Sequence, residues 1–100
     1  YYANRGSYTR ALEQANLAER HWQRLPSELI FVKKAEIYEI QAASYQGLFY
    51  DSDSDTELLA KSIRHWEKVR EHVQGRDTSR QARADTELEK LQDIRHRLEN

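Results

Sequence analysis

One proline and three glycines in a hundred residues leave this chain few places to break. Between them, apolar side chains recur every three or four positions, the spacing that gathers them on one face of an α-helix. Long helices with short connections follow. The spacing predicts four, over about 8–25, 27–50, 54–74 and 77–98. The first carries a stripe of Tyr8, Ala11, Ala15, Ala18, Trp22 and Leu25, and Pro26 then forces a turn and can open a new helix. The second has two stripes: Phe31, Ala35, Tyr38, Ala42, Tyr45 and Phe49 on one side, and Leu29, Val32, Ile40, Ala43, Gly47 and Tyr50 on another. A helix apolar on two sides belongs between two neighbours, so this one is expected at the centre.

The polar run Asp51-Ser52-Asp53-Ser54-Asp55 separates the second helix from the third. Ser54 and Glu57 have the capping-box spacing, and Leu59, Ser62, Ile63, Trp66, Val69 and Val73 should face inward. Gly75 is placed to end that helix. Thr78 and Gln81 offer a second box, with Ala84, Leu88, Leu91, Ile94 and Leu98 inward on the fourth helix. An internal echo supports a repeat: Arg20-His21-Trp22 recurs as Arg64-His65-Trp66. Trp22 and Trp66 are accordingly expected in the core.

The stretch Gly6-Ser7-Tyr8 looks like a turn in which glycine ends one helix and an aromatic begins the next. Ala11, Ala15 and Ala18 then provide small residues for close helix packing. These residues resemble the tetratricopeptide repeat family. Gly6-Ser7-Tyr8 is similar to the family's turn and Tyr1-Tyr2 to the aromatic end of a first helix. Ala35-Glu36, Tyr38, Ala42-Ala43 and Tyr45 look like a further first helix, with Ser62, Trp66 and Val69 in its paired second helix. The resemblance implies an all-α fold of antiparallel helical hairpins, a right-handed α-solenoid of about four helices. It implies a protein–protein interaction scaffold whose first helices line a concave peptide groove, and it places Glu36, Glu39, Ala43 and Gln46 in that groove.

Composition narrows the functions that fit. A formal net charge of −1 with 33% charged residues gives no basic face for nonspecific nucleic-acid binding. Cysteine is absent, which excludes disulfides, thiolate catalysis and zinc–thiolate sites. Methionine is absent too, so the chain is expected to be a processed product or an excised piece, shortened at its N-terminus. Cytoplasmic and exported locations both stay open. No apolar run reaches the roughly 18–20 residues of a membrane span. Neither a nucleophile elbow nor a phosphate-cradling glycine loop occurs, so catalysis is not expected.

The remaining candidates are weaker patterns. Asp51, Asp53 and Asp55 alternate as calcium-loop carboxylates do, although Thr56 and Ser62 stand where such a loop needs glycine and glutamate. Calcium is therefore the only cofactor to consider. His21, His65, His72 and His96 lack metal-ligand spacing and are expected to flank the tryptophans as packing residues. Arg76, Arg80 and Arg83 should form a solvated face paired with Asp77, Asp85 and Glu87. The ends suggest a second function. Tyr1, Tyr2 and Tyr8 at the start, and Leu88, Leu91, Ile94 and Leu98 at the finish, would let copies assemble head to tail into oligomers or filaments. The partner is then either a protein or peptide, or another copy of the chain.

Overall fold

A computed structural model of the chain describes residues 2–21, 24, 26–52 and 54–99, the side chains of residues 2–5 and 28 excepted. The fold is all-α: α1 (Tyr2–Glu19), α2 (Ser27–Asp51), α3 (Thr56–Val73) and α4 (Thr78–Glu99), with no strand among the described residues.

The breakers act close to where they were expected, but the capping atoms differ. Pro26 precedes α2, and its carbonyl accepts from Leu29 N (2.9 Å) and Ile30 N (3.1 Å). Asp55, and not Ser54, caps α3: its Oδ1 accepts from Glu57 N (3.0 Å) and Leu58 N (3.3 Å). A carboxylate is the stronger acceptor at the positive end of a helix. Ser54 instead takes the left-handed conformation that tightens the turn (φ 62°). Gly75 ends α3 at φ 76°, so that Arg76 N and Asp77 N both donate to the Val73 carbonyl (2.9 and 3.0 Å). Asp77 replaces Thr78 as the cap of α4 by accepting from Arg80 N (3.1 Å), while Gln81 Oε1 reaches back to Gly75 N (3.2 Å).

The first helix departs most from expectation. It spans Tyr2–Glu19 and passes straight through Gly6, so there is no turn at Gly6-Ser7-Tyr8. Glycine in an exposed helix costs about 1 kcal/mol relative to alanine, which weakens a helix without ending it. The helix stops well before Leu25, its last turn tightened by Arg20 N to Leu17 O (3.2 Å) and His21 N to Ala18 O (3.0 Å). Trp22 and Leu25 lie outside the described residues. Trp66 sits in the middle of α3.

The helices pack in chain order, α1 on α2, α2 on α3 and α3 on α4. The core lies in the last three. Ala35, Ala42 and Phe49 of α2 meet Leu59, Ile63, Trp66, Val69 and Val73 of α3, and Ala84, Leu88 and Leu91 of α4 close over them. Trp66 is fully buried. Its Nε1 donates to Gln46 Oε1 (2.9 Å), which satisfies the indole inside the core. Ser62 is tolerated there because its hydroxyl donates to the Ala42 carbonyl (3.1 Å). The expected inward set of α3 is the buried set observed.

Only one of the two apolar stripes of α2 is covered. The first faces α3. On the second, Gly47 is buried and Ala43 half-buried, but the large side chains stay open. The reason is where α1 settles. Through Ala15 it packs on Ile37, Gln41 and Ser44, the adjacent face of α2, and meets the second stripe only where the Tyr8 ring lies flush on Gly47.

Candidate interaction surface

The surface is built from α2 outward. Leu29, Val32, Ile40 and Tyr50 are 48%, 42%, 44% and 52% exposed. They are four of the six large apolar side chains left exposed among the described residues, and they share one side of one helix. Scattered exposed leucines need no explanation, but four large apolar side chains on one side of one helix, with Lys33 and Glu36 among them, do. Beside the row runs a groove of about 390 Å³ between α1 and α2. Ala11, Ala15 and Ala18 form its low α1 wall, Ile37 and Ile40 its apolar α2 side, and Gln14, Lys33 and Glu36 its polar edge. Lys33 Nζ lies 3.3 Å from Glu36 Oε2 along the helix.

The four residues assigned to a peptide groove do not form one open surface. Glu36 lines the α1/α2 groove. Glu39 faces α4, where its Oε1 accepts from Arg83 Nη1 (2.8 Å) and its Oε2 lies 3.6 Å from Arg80 Nε. Ala43 packs against the core. Gln46 is buried, donating to Glu87 Oε2 (2.6 Å) and to the Tyr50 hydroxyl (3.1 Å) while accepting from Trp66. The fourth helix covers this side of α2, a fact of tertiary packing that spacing along α2 does not contain. The arginines change role for the same reason. Arg80 bridges Asp77 (3.2 Å) and Glu39, and Arg83 lies over the Trp66 ring (5.3 Å) as well as on Glu39. Arg76 stands over Phe31 (5.1 Å), and Asp85 pairs with Arg70 of α3 (3.9 Å).

The aspartate loop is organised around helix ends. The Asp55 carboxylate is taken by the α3 backbone, Asp51 closes α2, and Asp53 lies outside the described residues. Among the described residues no three His, Asp or Glu side chains gather as a metal ion requires.

Two histidines sit in the α2/α3 seam against other aromatics than the tryptophans expected to flank them. His72 stacks on Phe31 with centroids 4.5 Å apart, and its Nε2 donates to the Phe31 carbonyl (2.8 Å). It also meets Tyr38 edge-on at 5.9 Å. His65 lies 5.0 Å from the Tyr45 ring, and its Nδ1 donates to the Lys61 carbonyl (2.8 Å). Burial holds the His65 pKa below the ordinary histidine value, against the opposing effect of the Lys61 carbonyl bond; nearby Lys68 adds to the lowering. Burial and the charge of Glu19 push the Tyr38 hydroxyl up. The seven-residue spacing shared by Phe31, Tyr38 and Tyr45 on one helix and His65 and His72 on the other was the available signal for this ladder.

The ends differ from a matched pair of sticky faces. Tyr8 is half-buried on Gly47, and the side chains of Tyr1 and Tyr2 lie outside the described residues. Leu88 and Leu91 are buried against α3, and Ile94 is partly covered. Leu98 alone of that set is exposed, beside a cleft of about 320 Å³ lined also by Thr56, Leu59, Ala60 and Arg95. No described helix is long and apolar enough to cross a membrane. No protein-family model, curated protein or solved structure matches this chain.

Proposed function

We propose that the chain is a non-catalytic protein–protein interaction module, a tetratricopeptide-like array of helical hairpins, and that the open stripe of α2 is its partner surface. The observation that carries this reading is the row of Leu29, Val32, Ile40 and Tyr50 left uncovered beside the α1/α2 groove. Burying a fully exposed large apolar side chain is worth about 1.5–3 kcal/mol; Leu29, Val32, Ile40 and Tyr50 are already about half covered, so each supplies about half of that before the ordering costs of association. A groove between two helices with a low alanine wall suits an amphipathic helix laid along it. The chain-order packing of α1 to α4, with side chains of α4 reaching back to α2, is compatible with a right-handed solenoid.

The test is selection of binders from a displayed library of amphipathic helical peptides, followed by titration against Ile40→Glu. Peptides directed to the stripe should lose about tenfold or more in affinity while circular dichroism of the variant stays unchanged. Binders that hold parent and variant equally would place the partner surface elsewhere.

A further inference from the structure

The open stripe of α2 is complementary to itself. Leu29, Lys33, Glu36 and Ile40 follow one another at steps of four, three and four residues, which makes them one row on the helix surface. The row has its midpoint between Lys33 and Glu36. From either end it runs apolar, charged, oppositely charged, apolar. All four members are accessible: the Lys33 and Glu36 side chains are 51% and 40% exposed, close to the values for Leu29 and Ile40.

Resting on the reading of this stripe as a binding surface, we propose that its occupant is a second copy of the chain. The copies lie antiparallel about a twofold axis through the midpoint of the row. Lys33 of each copy then meets Glu36 of the other, and Leu29 of each covers Ile40 of the other. Such a contact is isologous, so every favourable pair forms twice. The charges also select the direction, because a parallel arrangement in register would set lysine on lysine and glutamate on glutamate. In the single chain Lys33 pairs with Glu36 along its own helix, an exposed ion pair of little worth. The dimer exchanges the two intrahelical pairs, one from each copy, for two intermolecular pairs in a partly dried contact, so no ion pair is lost.

The surroundings admit the second helix. Ala11, Ala15 and Ala18 make the neighbouring α1 wall low. Glu39 and Gln46, which bond to α4, lie toward the C-terminal side of the midpoint, and Leu29 stays 48% exposed.

The experiment is sedimentation equilibrium of the whole chain over a wide concentration range, with charge reversals. The parent should pass reversibly from monomer to dimer. Lys33→Glu and Glu36→Lys should each weaken the dimer about tenfold or more, because each sets like charges together. A one-to-one mixture of the two variants should associate as the parent does, and so should the double reversal. A parent that stays monomeric throughout overturns the proposal, as do single reversals that dimerise normally or a mixture no tighter than its components. Binding of an apolar-surface dye separates the two readings. A monomer whose dye binding is lost in Ile40→Glu sinks the dimer and leaves the interaction surface standing. A monomer without Ile40-dependent dye binding sinks both.

Discussion

The two faces of α2 are held in different ways. Toward α3 and α4 it meets an apolar core around Trp66, Leu59, Ile63, Val69, Leu88 and Leu91, in which the polar atoms of Ser62 and Trp66 are paired. Toward α1 it meets Ala15 and the Tyr8 ring, with a polar cluster between. There Gln41, 2% exposed, donates to Asn16 Oδ1 (2.9 Å) and Glu19 Oε2 (3.1 Å), while its own Oε1 is buried without a partner. Alanines let two backbones approach closely but remove little apolar surface from water, and hydrophobic stabilisation scales with that surface. The contrast teaches that α2–α4 form the stable unit and that α1 is an attached helix of lower local stability.

The largest expected effect is at the centre of the unit. Trp66→Ala removes a fully buried indole and leaves Gln46 Oε1 without its donor; it should cost about 3–5 kcal/mol by urea denaturation. A loss under about 1 kcal/mol would mean that the core is not centred on α3.

At the α1 seam a substitution should act in the opposite direction. Gln41→Leu removes the buried orphan oxygen, and water can serve the exposed Asn16 and half-exposed Glu19. Stability should hold or rise by about 1 kcal/mol. A clear destabilisation would show that the polar cluster holds α1 in place.

Gly47 sharpens the comparison further. A methyl at that position overlaps the Tyr8 ring. In a Tyr8→Ala background, Gly47→Ala should gain about 1 kcal/mol from helix propensity alone. With the ring present, most of that gain should vanish. A double-mutant cycle measures the coupling, and additive effects would mean that the ring does not rest on Gly47.

The smallest effect concerns pH. Because burial lowers the folded pKa of His65, the unfolded chain takes up the proton first as pH falls through about 6.5. The contribution of neutral His65 is therefore present above that pH and is lost progressively as pH falls toward its lower folded value. His65→Gln should flatten the fall in stability between neutral and mildly acidic pH. An identical slope in parent and variant would place the ring in solvent.

The apolar period and the breakers were enough to specify four helices, the connections after α2 and α3, and every inward position of α3, but not where α1 begins and ends. The reason is local: spacing sets which residues share a helix face, and Pro26, Gly75 and the aspartates limit where the backbone can continue. Tertiary packing decided the rest. Gly6 could be a turn or an exposed helical residue, because glycine allows both. The two apolar stripes of α2 predict two neighbours, yet α1 chose the face of Ile37, Gln41 and Ser44 and left Leu29, Val32, Ile40 and Tyr50 uncovered. Glu39 and Gln46 share a helix side with Glu36 in sequence, but α4 covers them and leaves Glu36 on the groove. Periodicity states that a face is apolar. Which partner reaches it first depends on the area each competing contact removes from water, and that quantity exists only once the helices are assembled.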